Sequence, residues 1–186
     1  MLKVTNLFSV FIFSLLLIAC GGDSDNELEN ESIQGTWVAQ SLVGTVETDL
    51  NFQGEIIQTN ISFEDISLDY ELTFDETSFS TEGAYNIQVR AMSDGEVIAD
   101  TNSDVSDVTG NGNYTDSGTS ITLDKPFFTL TYQGQELMVM GEEQNAAYEI
   151  NSNGELVFSQ NEIMTDNTAG IESTSRIVST SVWKRK

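Results

Sequence analysis

Apolar and polar residues alternate one for one through much of this 186-residue chain, and the runs of alternation end in tight-turn signatures. The clearest run is Ile66, Leu68, Tyr70, Leu72 and Phe74, separated by Ser67, Asp69, Glu71 and Thr73. A period of two places one set of side chains on a buried sheet face and the other on a wet face. Ile121 and Leu123 repeat the pattern, as do Phe128, Leu130 and Tyr132, and then Leu156 and Phe158. Near the end, Ile177, Ser179, Ser181 and Trp183 share one face, against Val178, Thr180 and Val182 on the other. Asp94-Gly95, Asp116-Ser117-Gly118, Gln133-Gly134 and Asn153-Gly154 fall between runs. Asn-Gly and Asp-Gly readily supply the positive φ that tight hairpins need. Pro126 precedes Phe127, where it can begin a strand without losing a ladder bond.

Successive hairpins pair sequence neighbours in space. Such a meander closes most naturally into an antiparallel up-and-down β-barrel, of about 8–10 strands here. A two-layer sandwich would need longer crossovers between sheets, and few stretches offer them. Two segments break the pattern: residues 99–113 and 161–175 are rich in Asp, Asn, Ser, Thr and Gly, and both read as long loops. The all-β domain is therefore expected over residues 33–186.

The first residues read differently. Lys3 is followed by an apolar segment from Leu7 to Ala19, broken only by Ser9 and Ser14. A stable transmembrane helix needs about 20 apolar residues, so this shorter run reads as a signal peptide over residues 1–19. Leu17-Ile18-Ala19-Cys20 resembles a lipobox, the cleavage motif of bacterial lipoproteins. The resemblance implies cleavage before Cys20, a diacylglyceryl group on its sulfur and an acyl chain on its new amino group. Several acyl chains hold a protein to a bilayer where one does so only marginally. Cys20 is the only cysteine, so no intrachain disulfide can form and burial must hold the fold together. Residues 20–32 carry many carboxylates and little to bury, and read as a flexible tether with a span of about 20 Å.

The formal net charge is −23. Loss of Lys3 with the signal leaves six basic side chains against 30 acidic ones. Between Cys20 and Ser175 only Arg90 and Lys125 are basic, while Arg176, Lys184, Arg185 and Lys186 crowd the end. Nucleic-acid binding depends on neutralising phosphates with Lys and Arg, so nucleic acid is excluded as a partner. The charge serves solubility and resistance to self-association.

Gly35-Thr36-Trp37 resembles the Gly-x-Trp that opens the first barrel strand of lipocalins. The course from Ile33 through its hairpins to "STSVWKRK" resembles the lipocalin-like lipoproteins of Bacteroidota: lipobox, acidic linker, G-x-W strand, hairpins and a basic end. That resemblance implies a lipid-anchored protein of the outer membrane, facing the periplasm or the cell surface. The acidic stretch after Cys20 resembles a signal for surface display. The resemblance also implies that Trp37 closes one end of the barrel with a basic residue across its ring, and Arg185 is the best placed. Lys184 and Arg176 stand behind it.

Catalytic chemistry is hard to place in this chain. With no histidine, Ser-His-Asp triads, Cys-His pairs and His-bound zinc are excluded. No carboxylate pair stands out for acid–base work, so no enzymatic activity and no cofactor are expected. Asp100, Asn102 and Asp104 match the first, third and fifth places of a calcium loop, but Val105 and Asn111 stand where Gly and Glu are needed. An irregular calcium site on Asp100, Asp104 and Asp107 is the only metal candidate. Two functions are then open. A hollow barrel would bind a small apolar or amphipathic ligand inside. A filled barrel would act as an envelope interaction module, holding a protein or glycan through its loops.

Overall fold

The computed structural model describes residues 32–128, 131–132, 135–136, 143–168 and 171–186. The expected signal peptide, Cys20 and the expected tether up to residue 31 lie outside the described residues. Ten β-strands follow: β1 (Gly35–Phe52), β2 (Glu55–Phe74), β3 (Ser78–Ser93), β4 (Glu96–Asp116), β5 (Ser120–Leu123), β6 (Thr131–Tyr132), β7 (Gln135–Glu136), β8 (Gln144–Ile150), β9 (Glu155–Thr168) and β10 (Ile171–Arg185). Eight of them form a closed barrel in the order β1-β10-β9-β8-β5-β4-β3-β2. Every neighbouring pair is antiparallel. Strands therefore run up and down in chain order, and β6 and β7 pair with each other in a separate two-stranded sheet. Asp94-Gly95, Ser117-Gly118 and Asn153-Gly154 each link two ring strands, with Asp94 and the glycines at positive φ. The Gln133-Gly134 turn lies outside the described residues.

Among the described residues, the strand ladder runs round the full circumference at one end only, where β5 and β8 join it. β5 has four residues and β8 seven, whereas β1, β2 and β4 have 18, 20 and 21. At about 3.3 Å per residue, the long strands run some three times farther than the short ones. Strands of this length must bend to wrap, and bulges provide the bend. The register slips between Ala39 and Ser41 in β1, Asp65 and Ser67 in β2, and Gly83 and Tyr85 in β3. Where the β1–β2 ladder is interrupted between Val38 and Val43, the Asp65 carboxylate accepts from the Leu42 amide at 2.7 Å. A side chain thus replaces the missing backbone acceptor.

Four expectations are corrected. Residues 99–113 belong to β4, and residues 161–168 and 171–175 belong to β9 and β10, so these are strands and not loops. The inward positions of β4 are Ala99, Thr101, Ser103, Val105, Val108 and Gly110, by their register with the core face of β3. Such small and hydroxyl-bearing side chains give weak hydrophobic contrast, while long neighbours still impose pairing. Ile66 does not join the buried face of its run. It sits at the β2 bulge and is half exposed. Pro126 does not start a strand: residues 126–128 lie outside the strands, and Phe127 and Phe128 both turn toward the core instead of alternating.

Trp37, Trp183, Leu72, Ile87, Leu156 and Ile177 are fully buried within the barrel. Gly44 sits opposite Phe63 on β2, and the Phe63 ring occupies the space that a side chain at Gly44 would take. Phenols extend the core with satisfied hydroxyls. Tyr70 donates to the Phe127 carbonyl at 2.5 Å, Tyr114 to the Asp75 carbonyl at 2.6 Å and Tyr148 to Asp116 Oδ1 at 2.8 Å. Burial raises all three phenols above their ordinary range, and nearby Asp116 adds to the rise at Tyr114 and Tyr148. Because the folded values lie above the unfolded one near 10, this contribution is complete below about pH 10 and is lost as pH rises further. In an alkaline titration, phenolate absorbance from these residues should appear only together with loss of the β circular-dichroism signal. Full phenolate absorbance in a still folded protein would contradict their burial.

Candidate functional site

The closed end of the barrel is sealed by sequence-distant parts. Trp37, near the start of β1, is fully buried, and its indole Nε1 donates to the Ile33 carbonyl at 2.7 Å. Arg185, opposite it on β10, places its guanidinium carbon 4.3 Å from the centre of the Trp37 ring. The same guanidinium donates from Nη1 to the Gln34 carbonyl (2.9 Å) and from Nη2 to the Ser32 carbonyl (2.8 Å). Stacking of this kind contributes about 0.5–2 kcal/mol, depending on desolvation. Gly35 has φ 117°, and a side chain there would press on the Arg185 guanidinium. The glycine therefore makes room for the stacked arginine. Lys184 lies on the other face of β10, paired with Val38. Lys186 is held by both Glu71 oxygens at 2.7 and 2.9 Å, which raises its ammonium above the usual value.

Inside the ring, two residues outside the strands fill the centre. The Phe128 ring lies 5.2 Å from Tyr70, and 5.4 Å from both Tyr85 and Trp183, between ring centres. Phe127 lies 5.3 Å from Phe158 and 5.9 Å from Trp183. The Tyr70 hydroxyl pins this pair through the Phe127 carbonyl. Such aromatic contacts contribute about 0.5–1.5 kcal/mol each beyond burial. Beside these rings lies a cavity of about 30 Å³, bordered by Leu42, Phe63, Gln144, Gln160 and Ser181. That volume holds a water or two, and the buried Gln144 Nε2, which has no partner among the described residues, points to such a need. Ligand pockets are roughly ten times larger or more.

The three acidic residues considered for calcium do not converge. All lie on β4. Gln88 Nε2 donates to Asp100 Oδ1 at 2.8 Å, and Asn86 Nδ2 donates to Asp104 Oδ1. Asp107 occupies a positive-φ position (55°) beside the register slip. Residues 100 and 104 are about 13 Å apart along an extended strand. Among the described residues, no three metal-ligating side chains come together. Asp124 shows where acidic side chains serve instead. Its carboxylate accepts from the Asn113 amide (2.7 Å) and Nδ2 (2.8 Å), which holds it below the usual range.

A larger concavity lies on the outside. One cross-strand row runs through five strands: Ile163 faces Arg176, Arg176 faces Glu47, Glu47 faces Asn60 and Asn60 faces Met92. Its chain neighbours Ile177, Val46 and Ile61 form the adjacent inward row, so this row points outward. It borders a groove of about 650 Å³, with Asp49, Gln58 and Thr174 beside it. The sequence does not single out this row: Ile163 falls in a segment that reads as a loop, and Arg176 enters only as a partner for Trp37. Nothing in the linear spacing showed that the row's residues align, because alignment depends on the register of five strands.

The fold and sites together define an all-β closed barrel with an aromatic filling and an external polar groove. No protein-family model matches this chain, and no curated protein or solved structure matches it.

Proposed function

We propose that this chain is a lipid-anchored, non-enzymatic interaction module of the bacterial envelope, lipocalin-like in plan and held to the outer membrane through Cys20. The reading rests first on the lipobox-like Leu17-Ile18-Ala19-Cys20 and the acidic tether behind it. One observation favours a filled barrel over a carrier: Phe127 and Phe128 occupy the centre, and the cavity beside them measures about 30 Å³. An apolar guest would have to displace rings that touch Trp183, Tyr70 and Phe158. Binding then falls to the exterior, with a protein or glycan as partner. The acidic surface disfavours nucleic acid.

Extraction of the full-length protein purified from its membranes, followed by mass spectrometry, tests this. Acyl groups covalently attached at Cys20 and no stoichiometric free lipid are expected. A lipid-like molecule recovered in one-to-one amount would support carriage instead. An unacylated mature protein would remove the anchor from the proposal.

A further inference from the structure

We infer that the outer groove along Ile163, Arg176, Glu47, Asn60 and Met92 is a binding site for a neutral oligosaccharide. This deepens the reading of the chain as an exterior-binding module and rests on it. The row crosses four strand spacings, about 19 Å at 4.8 Å each, long enough for several linked sugar rings. The groove's volume of about 650 Å³ lies within the roughly 300–1,000 Å³ usual for small-ligand sites.

The lining selects the ligand class. Carboxylates of Glu47 and Asp49 accept hydrogen bonds, Arg176 donates them, and the side-chain amide of Asn60 does both. A sugar's vicinal hydroxyls can serve as donor and acceptor at once, so they match a mixed set of this kind. Two of the polar groups are already oriented. Gln58 Nε2 donates to Asp49 Oδ1 at 2.9 Å, and Arg176 Nε donates to Asn161 Oδ1 at 3.4 Å. Among the described residues, the terminal guanidinium nitrogens remain for a ligand. At the two ends, Met92 and Ile163 offer apolar contact for C–H faces. Ile163, 68 % exposed, is the most exposed large apolar residue among those described.

Charge narrows the choice further. Two carboxylates flank one guanidinium in the groove, on a chain of net charge −23. Anionic glycans, phospholipid headgroups and nucleic acid are repelled by that field. A wholly apolar ligand would leave the groove's ionised groups desolvated and unpaired. A neutral polyhydroxyl chain incurs neither cost.

The test is a titration of the isotope-labelled full chain with maltohexaose, cellohexaose and chitohexaose, followed by amide NMR. Saturable shifts centred on Glu47, Asn60, Met92 and Arg176 are expected with at least one sugar. The Glu47→Gln/Asn60→Ala double variant should weaken that binding about tenfold or more with an unchanged melting temperature. A variant that melts early would be replaced by Arg176→Gln, at an exposed position. No saturable shift with any of the three sugars overturns the inference, as does binding that these variants leave intact. A saturable response to spermidine alone overturns it in favour of a cationic amine. In each of these cases an empty lipid extract would still uphold the filled-barrel reading, so the two proposals fail separately.

Discussion

Replacing Trp37 with alanine should destabilise the protein by about 3–5 kcal/mol, the usual cost of emptying a buried aromatic site. The indole is fully buried, donates to Ile33 at the start of the domain and carries Arg185 on its face. Its loss opens a cavity at the closed end, orphans the Ile33 carbonyl and removes the surface on which the last strand is fastened. For a domain of this size each kcal/mol corresponds to roughly 2–4 °C, so the melting temperature should fall by about 6–20 °C. Arg185→Ala should cost far less, about 1 kcal/mol, because it removes the stacking and two exposed hydrogen bonds but leaves the core filled. Thermal or urea unfolding of the two variants beside the parent measures both. Equal melting temperatures for Trp37→Ala and the parent would rule out the sealing role.

Gly83→Ala is the second substitution expected to be severe. Gly83 pairs with Tyr70 on β2 and Val108 on β4, in the centre of the sheet, with φ 126°. L-residues reach that conformation only at about 1–3 kcal/mol. A methyl group there would also run into the backbone carbonyl of Asp69, which cannot move without parting β2 from β3. The combined loss should be ~3 kcal/mol or more, with Tyr70 and the aromatic filling displaced as well. Gly54 is the control. It also has positive φ (88°), but a side chain there meets only open space, so Gly54→Ala should cost about 1–2 kcal/mol. Similar losses at the two positions would show that close strand approach at Gly83 is unimportant.

The barrel was legible because its information is local. Alternation over Leu68–Phe74 and Ile177–Trp183 fixes which side chains face in, and Asp94-Gly95 and Asn153-Gly154 mark where the chain reverses. The two supposed loops were illegible for the opposite reason. Ser103, Val108, Gly110 and Ser175 are small or weakly apolar, so their alternation carries little contrast. They are strands because β3 offers β4 a ladder to pair with, and β1 does the same for β10, which in turn carries β9. The aromatic filling was likewise hidden. Phe127-Phe128 is a consecutive pair, and a strand would have sent the two rings to opposite faces.

Sequence alone therefore determined the fold class, the chain order of the hairpins and the strong acidity of the chain, because composition and period two act within a few residues. Tertiary structure alone decided how far the ring closes, what fills it and which outward side chains share a groove. Those outcomes depend on register, where residues more than a hundred positions apart, such as Glu47 and Arg176, become neighbours through backbone pairing. A slip of one residue on any strand would turn each of its side chains to the other face.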